Sequence, residues 1–441
     1  MPEPSLDNLR AQISRGRAWR EFGRITALTQ NNATVAGLGH VAAIGDQVEI
    51  CGRSGVHIRG EVLRLDKGVA DVLPTESLDS VSVGDRVHLL GPIEIAPDDS
   101  WLGRLIDADG LPLDGCPLLA GTQPRSLAGS PPKASIRKAL GERLECGLAA
   151  FNTALPIVRG QRIGLFAGSG VGKSTLVGQL ARSIEADVVV IALIGERGRE
   201  VRHFIEEVMG KDGMSRAVVV AATSDQSPVL RRRCAWTAMT VAEHFRAMGK
   251  HVLLFADSVT RFAEAHREVS LTLGESSSYG GYPPSVARNI MALAERAGPG
   301  EMGGAGDITA IFSVLVAGSD MEGLIADTLR GVLDGHVVLD RTIAERGRFP
   351  AIDLLASVSR SLPGAASATE NALLKHLRRL LSVHSQTELM IRSGLYEKGS
   401  DPEVDSAVEL WPQLDEFLGA QSPESIAESF DRLANILTAE G

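Results

Sequence analysis

The sequence predicts an α/β chain with a small N-terminal β-barrel, a central domain on a mostly parallel sheet, and a C-terminal helical domain. Three observations lead there. Between Gly23 and Pro92, short β-branched segments (GRITAL, DQVEI, HIRGEVLRL, GVADVL, DRVHLL) recur with turn residues roughly every 8 to 12 positions, the pattern of a small antiparallel barrel or sandwich. Farther on, RIGLFAG, DVVVIALIG, RAVVVAATS, HVLLFADS and DITAIFSVLV each precede a loop and a helical stretch, an alternation that argues for a parallel sheet covered by helices. After Ser361 the strands stop, and NALLKHLRRLLSVHSQTELMI and ESIAESFDRLANIL carry apolar residues at helical spacing. These signals divide the chain into residues 1–22, 23–92, 93–362 and 363–441.

Composition agrees with a modular globular chain. Its 441 residues exceed one ordinary core, and its 47 glycines imply many tight turns or close backbone approaches. The net charge is −10, and the run Arg231, Arg232, Arg233 is too short to track a phosphate backbone, so nucleic acid is not an expected partner. Apolar runs such as Val188 to Ile194 fall far short of a bilayer span, and the N-terminus lacks the continuous apolar stretch of a signal peptide. A cytoplasmic protein is expected. Cys51, Cys116, Cys146 and Cys234 form no CxxC pair, which suggests neither a zinc site nor a disulfide framework.

Taken in order, residues 1–22 place Leu6, Leu9, Ile13, Trp19 and Phe22 in a loose helical stripe that calls for a partner. The barrel segment follows. WLGRLIDADGLPLDG and the Pro/Gly/Ser-rich LAGTQPRSLAGSPPKAS then read as an exposed connection into the next domain.

The strand IGLFA opens into Gly168-Ser169-Gly170-Val171-Gly172-Lys173-Ser174-Thr175, with Ala167 where the phosphate-loop pattern has its leading glycine. Glycines there let successive backbone N–H groups face phosphate oxygens, and the helix that follows adds partial positive charge. Lys173 is placed to reach the β/γ-phosphates and Ser174 to put its hydroxyl on Mg²⁺. ATP and Mg²⁺ are therefore the expected cofactors.

Two other strand ends carry charge toward the same crevice. The strand VVVIALI runs into Gly195-Glu196-Arg197-Gly198-Arg199-Glu200, where Glu196 is the candidate to orient and polarise water. HVLLFA ends in Asp257, a candidate Mg²⁺ aspartate, although Asp is also a frequent helix cap. Arg261, four residues on, is placed to reach the γ-phosphate.

GERGREV, DSVTRFAEAHREVSLTLGE, GYPPSVAR, VLDGHVVLDR and FPAIDLLASVSR together resemble the catalytic core shared by rotary ATP synthase β subunits and type III secretion ATPases. FAGSGVGKSTL, ATSDQSPVLRRRCAWTAMTVAEHFR and GLYEKGSDPEVDSA are most similar to the flagellum-specific export ATPases, with the injectisome ATPases a close second. The resemblance implies a RecA-like P-loop ATPase domain and a homohexameric ring with Mg-ATP sites between subunits. It assigns Glu196 as catalytic glutamate, Arg197 and Arg261 as γ-phosphate contacts, Asp257 as the Mg²⁺ aspartate, and Phe349 as the aromatic against adenine. Arg360 becomes an arginine finger delivered by the neighbouring subunit.

The implied partners are a stator-like regulator at the N-terminal segment, a central stalk protein, export chaperones with cargo, and the membrane export gate. The implied location is the cytoplasm, peripheral to the inner-membrane export apparatus. One stretch departs from the family: Ser276-Ser277-Ser278-Tyr279-Gly280 stands where a loop bearing Pro, Thr and basic residues is expected. An ATP synthase β subunit, an RNA-driven ring motor and a non-catalytic regulator are the other classes compatible with the loop. The 4% aromatic content weighs against the RNA motor, and Glu196 against the regulator.

Overall fold

The structure, a computed structural model, describes residues 6–15, 19–52, 55–316, 321–421 and 425–438. Strands β1 (Phe22–Leu28), β2 (Ala33–Ala36), β3 (Gln47–Cys51), β4 (His57–Asp66), β5 (Val69–Pro74) and β6 (Arg86–Gly91) close into a barrel in the order β1-β2-β5-β4-β3-β6. Every pairing is antiparallel. Ile25, Val35, Val48, Ile50, Ile58, Val62, Val72 and Val87 are buried inside it. Closure leaves no open edge, so a barrel this small keeps its backbone groups paired.

The central sheet contains β7 (Arg104–Ile106), β8 (Arg162–Ala167), β9 (Val188–Glu196), β10 (Ala217–Thr223), β11 (His251–Asp257), β12 (Asp307–Leu315), β13 (Gly335–Leu339) and β14 (Ile352–Ser359). Their order is β14-β13-β8-β12-β11-β9-β10-β7, with Gly298–Pro299 pairing alongside β12. Strands β7 to β13 run parallel, and β14 lies antiparallel to β13. Helices cover both faces, which is why β9, β10 and β11 are nearly continuous apolar runs buried along their length instead of alternating. The order brings the C-terminal ends of β8, β12, β11 and β9 side by side, forming one crevice for the loops that follow.

Helix α1 (Leu6–Arg15) carries only Leu6, Leu9 and Ile13 of the expected stripe, with Leu6 70% and Ile13 78% exposed, whereas Trp19 lies past the helix and Phe22 opens β1. Asn8 turns the other way and is buried, its side-chain amide donating to Asp98 at 3.4 Å. Helix α2 (Lys173–Ser183) follows the phosphate loop. Helix α3 (Pro228–Ala247) starts with Ser227 as its cap and Pro228 at its first turn.

The arginine run of the sequence lies in α3 and serves the interior. Arg232 bonds Glu61 of β4 at 2.6 Å, and Arg233 bonds the other oxygen of Glu61 at 2.7 Å and also Asp109. Buried guanidinium groups need such partners, so this network joins barrel to central sheet. Helix α4 (Val259–Thr272) follows β11.

The C-terminal helices are α5 (Ala368–Arg392), α6 (Pro402–Gly419) and α7 (Ile426–Thr438). Ser367 and Glu370 form a reciprocal capping box at the start of α5. Leu377, Leu414, Phe417 and Leu433 pack with Phe151 in a core continuous with one face of the sheet. Among the described residues no helix is long and apolar enough to cross a membrane.

Candidate active site

The phosphate loop leaves β8 after Ala167 and turns directly into α2. Gly170 and Gly172 hold φ of 79° and 84°, a left-handed conformation that a side chain disfavours, and Gly172 is the residue that starts the helix. A Cβ on Gly170 would meet nothing within 4 Å, leaving room above the loop. Val171 is buried and pins the loop to the core, while Ser174 and Thr175 are exposed on the first turn of α2. Gly168, Ser169 and the N–H groups of this turn thus form a cradle at a helix N-terminus, the physical requirement for holding phosphate.

Asp257, at the end of β11, is only 4% exposed. It is held from two sides: Lys173 Nζ pairs with its Oδ1, and the Ser313 hydroxyl of β12 donates to the same oxygen at 2.7 Å. Helix α4 is capped by Ser258 and not by Asp257, so this carboxylate is directed to the site and not to a cap.

Glu196 ends β9. Its carboxyl is pushed up to about 7, first by burial, then by the nearby Asp257 charge and by a hydrogen bond with Glu200. Glu200 is held below the usual carboxylate range, chiefly by that same bond. Two carboxyl groups sharing a proton in this way split their titrations, and the raised member sits where a proton acceptor works near neutral pH.

Arg197 is exposed and lies 3.6 Å from Glu200. Arg261 bonds Glu264 at 2.9 Å, and its stem passes over Gly195, where a Cβ would come within 3.3 Å of it. Both arginines therefore flank Glu196 with their guanidinium groups engaged only by partly exposed carboxylates. The Phe349 ring, 53% exposed, lies against the loop, since a Cβ on Gly172 would sit 3.2 Å from it.

Arg360 is not brought to this crevice. It follows β14, and the register pairs Ser359 with Gly335 at one end and Ile352 with Leu339 at the other, beside Ala167. The rise from Gly335 to Leu339 alone is about 13 Å, with two strand spacings of about 4.8 Å added sideways. The Arg360 guanidinium is exposed and donates to the Arg330 carbonyl at 2.9 Å.

Three residues not singled out from sequence complete the site: Ser313 beside Asp257, Glu200 beside Glu196, and Arg348 next to Phe349. Arg348 forms an ion pair with Asp415 of α6 at 3.0 Å and donates to the Ile352 carbonyl at 2.8 Å, tying the aromatic's segment to the C-terminal helices. Glu200 lies in the quoted GERGRE string and was within reach of a sequence reading. Ser313, inside an apolar strand, carried no local signal.

A phosphate cradle, a lysine at the start of the following helix paired with a buried aspartate at a parallel strand's end, and a carboxyl poised near neutral pH define a phosphate-loop ATPase on a RecA-like fold. Residues 147–359 match the ATP synthase alpha/beta family nucleotide-binding domain, and residues 366–435 match the T3SS EscN ATPase C-terminal domain. The chain is 43% identical over 428 residues to the flagellum-specific ATP synthase of Caulobacter vibrioides, covering 95% of this chain and 96% of that one. It is also similar to the assembled ATPase EscN of the enteropathogenic E. coli type III secretion system, with TM-score 0.87, 36% identity, and coverage of 94% and 100%. EscN in complex with its central stalk EscO matches with TM-score 0.84 at the same identity and coverage. The chain belongs to the flagellum-specific ATP synthase and type III secretion ATPase family.

Proposed function

We propose that the chain hydrolyses Mg-ATP as a homohexameric ring and energises protein export through a bacterial flagellar type III apparatus. The single observation that carries the ring is the position of Arg360. It stands at the sheet edge opposite its own phosphate loop, so an arginine finger for that loop has to come from a neighbouring copy. EscN is described as assembled and with a central stalk, which supports a ring and a stalk partner for this chain as well. The exposed stripe on α1 supports a regulator there. Chaperones with cargo and the membrane export gate are the remaining partners of the proposal, as is the four-part division at residues 22, 92 and 362.

The donor set suits Mg²⁺, since the Ser174 hydroxyl and the Asp257 carboxylate are hard oxygens. Bound Mg-ATP supplies the scissile phosphoryl group and the metal charge that offsets its developing negative charge. Lys173 releases Asp257 and turns to phosphate oxygens, while Ser313 keeps Asp257 aimed. Glu196 accepts a hydrogen bond from the attacking water, Arg197 and Arg261 neutralise γ-phosphate charge, and Phe349 packs on the base.

The curated flagellar relative is 43% identical and EscN 36%, which supports the flagellar reading. The match of residues 366–435 to the EscN C-terminal domain is the observation on the side of an injectisome role. Steady-state hydrolysis across a wide range of protein concentration tests the ring: specific activity should rise with concentration as shared sites form. Full activity in a chain shown to be monomeric would overturn it. Deleting the gene should abolish flagellar filaments. Normal filaments together with lost virulence secretion would favour the injectisome role.

A further inference from the structure

We infer that the barrel carries a divalent-cation site formed by Cys51, His57 and Glu49, and that its donor chemistry selects Zn²⁺. The three residues lie on the β3–β4 hairpin, away from the nucleotide crevice. Cys51 and His57 are direct cross-strand partners in the antiparallel register, and Glu49 lies two residues before Cys51, hence on the same face of β3. One potential ligand atom from each residue lies within 4.8 Å of the other two.

The two separations made by His57 are close to those of a tetrahedral ion. Zinc bonds of about 2.3 Å to sulfur and about 2.0 Å to nitrogen or oxygen imply ligand-to-ligand edges of roughly 3.3 to 3.6 Å. Here Cys51 Sγ is 3.7 Å from His57 Nδ1, and His57 Nδ1 is 3.7 Å from Glu49 Oε2. Closing those edges requires movements of a few tenths of an ångström by side chains free to rotate. Three protein ligands leave a fourth position for water.

Thiolate, imidazole and carboxylate together favour Zn²⁺ over Mg²⁺ or Ca²⁺, which take oxygen donors. His57 is exposed while Glu49 and Cys51 are half-buried, so an ion reaches the cluster without the barrel opening. Ile50 and Ile58 face the barrel interior on these strands, leaving the cluster free of any packing duty. Among the described residues two cations compete: Arg20, 3.6 Å from Glu49 and half exposed, a pair of the kind that contributes little, and Arg86, the β6 partner of Cys51, whose charge acts on that thiol. The bound ion would staple β3 to β4 at the end where their hairpin turns. A search by Cys/His spacing misses the site because its ligands meet across a hairpin and not within one short string.

Titrating the metal-stripped full-length protein with Co²⁺ as a probe tests the inference. One equivalent should produce a thiolate-to-cobalt charge-transfer band that Zn²⁺ then abolishes. The band should vanish in Cys51→Ser and persist in Cys116→Ser. Zn²⁺ affinity, read by competition with a chromogenic chelator, should fall at least roughly 10-fold in His57→Gln and Glu49→Gln. Mg-ATP hydrolysis by all four variants should match the parent and serves as the control for folding. Absence of the band, or a band that survives Cys51→Ser, would overturn the site.

Discussion

At the sheet edge where β8, β9 and β11 end, Lys173 at the start of α2 and Asp257, Ser313 and Glu196 at the ends of or within buried strands are bonded to or within the field of one another. At the opposite edge Arg360 stands exposed, its guanidinium resting on a backbone carbonyl. The first edge needs nothing from outside to be in order, because strand pairing fixes where each side chain starts. The second presents a charge with no substrate in reach of its own chain. Under the proposed ring, such a division would make binding a property of one subunit and turnover a property of two.

Arg360→Ala is the sharpest test of that division. It should lower turnover roughly 10³- to 10⁵-fold while nucleotide binding persists, the range for an arginine supplied across an interface. Mixing it with Glu196→Gln protein should restore part of the activity, since some interfaces then pair an intact crevice with an intact finger. Failure of the mixture to recover, with both variants still assembling, would place Arg360 and Glu196 on the same side of one site.

Glu196→Gln alone should lower turnover roughly 10²- to 10⁴-fold, with ATP binding measured by fluorescence or calorimetry unchanged. Loss of binding instead would make Glu196 a structural carboxyl of the loop.

A smaller effect is expected at Ser313, which touches Asp257 and lies beneath the crevice. Ser313→Ala removes a hydrogen bond to a charged group, so Mg-ATP should bind roughly 10-fold more weakly. Because the residue acts by positioning, the weakening should appear when Mg²⁺ is titrated at fixed ATP and be absent when ATP binding is measured without metal.

The smallest change is a shift of pH profile. With Glu196 at about 7 in the free protein, kcat/KM should rise with pH through that region as the acceptor form appears. Glu200 helps raise it, so Glu200→Gln, which removes that charge, should move the acid limb to lower pH. An unmoved limb would assign the titration to another group.

Much of this arrangement was legible in the residues. The phosphate loop is a contiguous string, so its glycines, Lys173 and Ser174 could be placed without a fold. Glu196 and Asp257 were readable because apolar strands announce their own ends, and a carboxylate just past a parallel strand has one crevice to face. The barrel was readable from the spacing of its turns. Ser313 was not, because its neighbours in sequence are all core residues and its partner lies 56 positions away. Neither was the role of Arg232 and Arg233, whose run reads only as too short to follow a phosphate backbone and whose partner Glu61 lies far away in the sequence.

By itself the sequence located most barrel and central strands, the C-terminal helices, the phosphate-loop string and the family's motifs, because periodicity and short motifs are local. The segment holding β7, with buried Trp101 and Ile106, instead reads there as an exposed connection. Strand order and register were decided only by the tertiary structure, since pairing joins residues far apart in the chain. That order set Lys173 and Ser313 on Asp257 and gathered Cys51, His57 and Glu49 across a hairpin. It also sent Arg360 to the far edge of the sheet through a single antiparallel strand.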